Sequence, residues 1–293
     1  MSMDFLEVGA GRRVHYRVSG PRGGVPLIFH HGTPGAVTPI RALERAAHAR
    51  GLRLVTTSRP GYGSSGRFEG RSVADVVDDI TALVEMLGVT RCLVAGWSGG
   101  GPHSLACAAR VPEVAAALVI AGVAPSGVPG LDFTAGMGEE DLVEFGAAFE
   151  GEARLREYLD VQREYLREAT ASHILVALST LLPDVDRAVM TDEFAEDMER
   201  GFHEALASGV DGWLDDDLAF VHPWGFDLDE ISCPVMVWQG SADLMVPFSH
   251  GVWLAANVPG VTAHLEEGEG HLSVGVGALD RMLDELVSAA ATA

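Results

Sequence analysis

Hydrophobic and polar positions along the first 126 residues fall into blocks whose period keeps switching. "VHYRV" (14–18) alternates every second residue, as a half-buried strand does. "PLIFHHG" (26–32) is a short apolar run closed by a glycine turn, and "PIRALERAAHARG" (39–51) takes helical spacing and stops at Gly51. "LRLVTTS" (52–58) is again strand-like. "SVADVVDDITALVEMLG" (72–88) opens on a Ser72-x-x-Asp75 capping pattern and ends at Gly88. "CLVAGW" (92–97), a small-residue helix after it, and "AALVIAG" (116–122) complete the series. Apolar strands separated by helices predict an α/β fold with a mostly parallel, doubly wound sheet.

The alternation stops after residue 126. "PSGVPGLDFTAGMG" (125–138) is rich in Gly and Pro, and residues 139–220 are charged and helix-like with few β-branched runs. The strand pattern returns at "CPVMVWQG" (233–240). A helix-like "PFSHGVWLAANV" (247–258), the strand "TAHLEE" (262–267) and a terminal helix "ALDRMLDELVSAAAT" (278–292) follow. The pattern predicts a core domain built from 1–126 and 226–293, interrupted by a helical insertion at 127–225.

Charge sharpens that division. The formal net charge is −22, and all twenty basic residues are arginine. Residues 127–230 hold 26 acidic residues against 6 arginines, so the acidity belongs to the insertion. A polyanion would be repelled, which excludes nucleic acid as the expected partner. The acidic segment reads as a solvated face; the alternative is a field that favours cationic substrates. Mean hydropathy is +0.18, consistent with a sizeable core. The longest apolar run, "AAALVIAGVA" (115–124), is too short to span a bilayer. The N-terminal segment has neither a basic nor an apolar signal region, and Cys92, Cys107 and Cys233 lack metal-type spacing. These features predict reduced thiols and a cytoplasmic location.

"GYGSSG" (61–66) satisfies a dinucleotide-type glycine pattern, but "RFEGR" separates it from the next helix at Ser72. A pyrophosphate site needs that helix to open within the glycines, so the segment reads as a tight loop and no cofactor is expected. "GWSGG" (96–100) is different: it places Ser98 between a strand and a helix, with glycine two residues away on either side. A serine hydroxyl attacks a carbonyl only with a base in reach, a carboxylate behind the base and donors for the oxyanion. Gly96 and Gly100 suit a turn with no room for side chains, and the Gly99 N–H lies where the following helix leaves donors unpaired. "FHHGTPG" (29–35) offers Thr33 as a second donor, because Pro34 has no N–H. Past the returning strands come Asp243 in "GSADLM" and His271 in "EGEGHLS", in the chain order Ser, Asp, His. Glu266, Glu267 and Glu269 lie on or beside the His271 loop and are poorer acids for it. His30, His31, His103, His250 and His264 read as packing or strand residues.

The succession HG-T-P-G, S-R-P-G-Y-G-S-S, G-W-S-G-G, G-S-A-D and G-H-L resembles the α/β-hydrolase superfamily in its form with a helical cap inserted after the sixth strand. The likeness covers about 1–126 and 231–293. It implies Ser98 as nucleophile, Asp243 as triad acid, His271 as base, and the N–H groups of Thr33 and Gly99 as oxyanion hole. Relatives commonly carry aspartate where this chain has Ser58, a departure in the loop and not in the triad. The expected activity is cleavage of an ester-type bond in a small molecule through an acyl-enzyme, without metal or organic cofactor. A proline-iminopeptidase-like aminopeptidase is the alternative: HG-T-P-G matches, but those enzymes carry a tryptophan after the serine, whereas Trp97 precedes it. A noncatalytic binding protein on the same fold is a further alternative. Trp97 either lines the acyl pocket or packs below the sheet, while Trp213 and Trp224 are expected to pack the cap onto the core.

Overall fold

The computed structural model describes residues 4–178 and 180–292. Eight strands form one sheet: β1 (Asp4–Val8), β2 (Arg12–Ser19), β3 (Pro26–His30), β4 (Arg53–Thr57), β5 (Cys92–Trp97), β6 (Val114–Ile120), β7 (Val235–Gly240) and β8 (Thr262–Glu266). Their spatial order is β1-β2-β4-β3-β5-β6-β7-β8. β2 runs antiparallel to both β1 and β4, and every later pairing is parallel. β1 was not predicted. Its alternation over "DFLEV" is that of a strand with one wet face, and the turn at Gly9–Gly11 folds it back onto β2.

Five helices of the core flank the sheet: α1 (Arg41–Ala49), α2 (Val76–Leu87), α3 (Gly100–Arg110), and, after the insertion, α10 (Phe248–Asn257) and α11 (Ser273–Thr292). The strand period of two sorts the core into two layers. Leu27, Phe29, Leu93, Ala95, Leu118 and Trp238 pack on the side of α1 and α11. Ile28, Val94, Ala117 and Val237 face α2, α3 and α10. The Ser72–Asp75 capping box is present, followed by a short 3₁₀ turn before α2, and Gly88 closes α2 in the left-handed region at φ 64°. α11 starts five residues earlier than predicted. Gly275 and Gly277 mask the helical pattern in sequence, and Gly275 is required because a Cβ there would lie 2.3 Å from the Trp97 ring.

Between β6 and β7 lie α4 (Glu139–Glu150), α5 (Glu152–Leu166), α6 (Ala171–Ala177), α7 (Asp184–Ala188), α8 (Asp192–Leu206) and α9 (Asp211–Val221). α9 is held against the glycine-rich segment that mimicked a dinucleotide loop. Gly61 has φ +90°, and a Cβ on it would lie 2.7 Å from the Gly212 backbone N. A Cβ on Gly212 would lie 2.5 Å from the Tyr62 ring, so both glycines are needed for this backbone-to-backbone contact. Arg67 pairs with Asp215 at 2.9 Å and Arg71 with Asp216 at 2.7 Å, fastening the same helix by charge.

Candidate active site

Ser98 stands at the turn from β5 into α3 with φ +56°, a left-handed conformation that a non-glycine residue adopts only under constraint. The constraint is visible: Ser98 N donates to Ile120 O at 2.8 Å, and Ser98 O accepts from Gly101 N at 2.9 Å. A Cβ at Gly96 would lie 2.1 Å from Gly100 O, and one at Gly100 would lie 2.1 Å from His30 O. The flanking glycines therefore let three backbone segments meet beneath the serine.

Gly99 precedes α3, and a Cβ on it would lie 2.3 Å from Thr33 Oγ1. Thr33 and Gly99 thus face one another, and neither backbone N–H has a hydrogen-bond partner among the described residues. The loop carrying Thr33 is gripped by Arg59, which donates to His31 O at 2.5 Å, Gly32 O at 3.0 Å and Thr33 Oγ1 at 3.1 Å. Asp216 of α9 completes the grip through Arg59 (2.6 Å), Arg71 (2.7 Å), Tyr62 Oη (2.8 Å) and Thr33 Oγ1 (2.8 Å). Burial, followed by the Arg59 guanidinium, pushes His30 down to about 3 and His31 and His103 well below the usual imidazole value. These three are neutral packing and hydrogen-bonding residues.

Asp243 and His271 meet directly, with Asp243 Oδ2 2.8 Å from His271 Nδ1. The carboxylate also accepts from Gln239 Nε2, Met245 N and Val246 N at 2.8–2.9 Å, which fixes its plane. The imidazole is 3% exposed. Burial lowers its pKa, but the Asp243 carboxylate outweighs burial, and with the Asp186 charge the net direction is upward. Trp97 donates its indole N–H to His271 O at 3.3 Å, lines the cavity and also packs against the core layer beside α11, so both expected placements hold in part.

Ser98, Thr33, Gly99, Trp97 and His271 all line one cavity of about 300 Å³, closed by residues of α4, α5, α8 and α9. Its wall is largely apolar, with Met137, Phe145, Phe202 and Phe220 among its residues, but it also carries Glu140, Asp141, Glu144 and Asp217. Asp217 is fully buried with no N–H or hydroxyl donor on its oxygens among the described residues, and the group it meets is the Glu144 carboxyl, with which it shares a hydrogen bond. Burial raises Asp217 and Asp141 well above the usual carboxylate value, aided by the Glu144 charge, and pushes Glu144 up to about 7. The expectation of a solvated acidic face fails at these residues. Trp213 is likewise more than packing: it lines the cavity and donates its indole N–H to Glu144 at 2.9 Å.

Of the insertion residues at the site, the sequence reading named Trp213, as packing, and missed the carboxylates. "WLDDDLAF" held the only signal, three consecutive acids in an otherwise apolar helix. Asp186 gave none; it accepts backbone hydrogen bonds from His271, Leu272 and Ser273.

The family model for the alpha/beta hydrolase fold matches residues 25–278. A proline iminopeptidase of Neisseria gonorrhoeae is 34% identical over 128 residues, covering 41% of this chain and 39% of that protein. A bifunctional esterase/perhydrolase of Acinetobacter calcoaceticus is 32% identical over 126 residues, covering 42% of this chain and 46% of that protein. The chain thus aligns with less than half the length of these two relatives. A bromoperoxidase structure from Bacillus anthracis superposes with a TM-score of 0.70 at 20% identity, covering 98% of this chain and all of that one, a likeness of fold.

Proposed function

The chain belongs to the alpha/beta hydrolase fold family, and on that footing we propose that it is a serine hydrolase cleaving an ester-type bond of a small molecule. The observation that carries the reading is a constrained Ser98 on the wall of the same cavity as His271, whose ring is hydrogen-bonded to Asp243. Ser98 attacks the carbonyl while His271 Nε2 takes its proton, and Asp243 holds the imidazole tautomer and balances its charge. The N–H groups of Thr33 and Gly99 receive the oxyanion. His271 then returns the proton to the leaving group, and water, activated by the same base, releases the acid. The Ser98 hydroxyl has no hydrogen-bond partner among the described residues, so the serine rotates toward the imidazole as the carbonyl arrives. Residues 127–225 serve as a cap that shapes the acyl pocket. The three free cysteines agree with a reducing, cytoplasmic setting. No cofactor takes part in this scheme.

Turnover of esters, thioesters, lactones and arylamides by wild type and Ser98→Ala tests it. The expected loss on Ser98→Ala is about 10⁴-fold or more in kcat; activity surviving in the alanine variant refutes the mechanism.

One observation favours a second reading, an aminopeptidase-like activity. The carboxylates of Asp217 and Glu144 face the cavity without a cation beside them, and a substrate ammonium would supply it. Amino-acyl arylamides would then outrun short acyl esters, with KM rising as pH falls through about 7, where Glu144 takes up a proton. A KM flat in pH for both substrate classes excludes it.

A further inference from the structure

We infer that Asp186, carried by the insertion, is a positioning residue for the catalytic histidine: it clamps the turn that leads into α11 and so sets the place of the His271 ring. The inference rests on the serine-hydrolase reading above.

The first N–H groups of a helix lack intrahelical acceptors and are usually satisfied by a side chain just before the helix. α11 is built otherwise. The residue before its first turn, Leu272, has no side-chain acceptor, and the Gly270 N–H two residues further back goes to Ser273 Oγ at 2.8 Å. The acceptor for the open donors comes from 85 residues away: Asp186 Oδ2 receives His271 N at 2.9 Å, and Oδ1 receives Leu272 N at 2.9 Å and Ser273 N at 2.8 Å. Asp186 is fully buried. A Cβ on Gly270 would lie 2.4–2.5 Å from the carboxylate atoms, so the glycine is what admits the clamp.

The clamp includes the backbone of His271 itself. His271 is held at its backbone N by Asp186 and at its backbone O by the Trp97 indole N–H. Both sides of the residue are thus fixed, and from there its ring reaches Asp243 Oδ2 at 2.8 Å. The charged groups that face the ring are the Asp243 carboxylate, from the loop after β7, and Asp186 of α7, and both favour the imidazolium. Removal of the Asp186 charge should therefore move the titration of His271 downward. That shift reports the Asp186 charge, and the positioning role is read from kcat against KM.

The test uses the full chain and p-nitrophenyl acetate as the probe ester. Asp186→Ala is expected to lower kcat about tenfold or more with KM within about twofold, because a base displaced by a fraction of an ångström loses attack geometry. Asp186→Asn keeps the shape and removes the charge; its acidic limb in kcat/KM is expected to shift down by about half a pH unit. Gly270→Ala should reproduce the kcat loss, and the double variant Gly270→Ala/Asp186→Ala should add nothing to Asp186→Ala. If Asp186→Ala does not fold, Asp186→Asn and Gly270→Ala carry the test. Unchanged kcat and an unmoved limb in Asp186→Asn, or additive losses in the double variant, overturn the inference while leaving the hydrolase reading standing. A wild type without Ser98-dependent turnover takes down both.

Discussion

Asp216 and Asp217 are neighbours on α9 with no exposed surface, and the molecule treats them in opposite ways. Successive helix residues point about 100° apart, so a run of three aspartates sends its carboxylates in three directions. Asp215 turns to Arg67, which is about a quarter exposed; Asp216 turns to Arg59, Arg71, Tyr62 and Thr33; Asp217 turns to the cavity and meets the Glu144 carboxyl. Burial alone would raise both acids. Around Asp216 the Arg59 and Arg71 charges reverse that and hold it well below the usual value, whereas the Glu144 carboxylate drives Asp217 further up. A buried acid with cationic partners stays charged and organises the loops it touches; one that faces only another carboxyl keeps its proton.

The sharpest way to break this contrast is Asp216→Ala. It strands two buried arginines and should cost about 3–5 kcal/mol in denaturant unfolding. It should also loosen the loop that presents Thr33. The pH sense follows from the lowered value: this contribution is present above the ordinary Asp pKa and disappears as pH falls through the folded one. A midpoint equal to wild type at neutral pH would mean the arginines are served by other acceptors.

Asp217→Asn should act in the reverse direction and more weakly. A carboxyl whose folded value is raised contributes stability that is full below its unfolded pKa and fades as pH climbs through the folded value. The amide removes that loss, so the variant should gain about 1–3 kcal/mol over wild type at pH 8 and little at pH 4. Melting temperature against pH reads this directly; parallel curves for the two proteins would show that Asp217 keeps its charge without strain. The smallest expected effect belongs to Arg67→Ala, at about 1 kcal/mol, since the Arg67 end of its pair with buried Asp215 is about a quarter exposed to water. An effect as large as that of Asp216→Ala would erase the distinction between the three carboxylates.

The same contrast explains which features could be read from the chain. Ser98 was legible because every neighbour has a local duty: Gly96 and Gly100 clear the turn, and Gly99 opens the helix. Asp243 and His271 were legible because each follows a strand within a few residues. The insertion was legible as helices and as acid, but not in what its acids touch. Asp186 meets His271 across 85 positions and Asp216 meets Arg59 across 157, and no spacing rule connects such pairs. Even "DDD" reveals only that three directions are occupied, with the partners supplied by segments folded elsewhere.

The contact between Gly61 and Gly212 has a practical corollary for anyone recombining such proteins. Because two main chains touch there with no room for a methyl group, the inserted helices cannot be traded as a freestanding cassette. A donor segment fits this scaffold only if it brings a bare backbone position to the landing point and finds another waiting, whatever acyl group its pocket was shaped to hold.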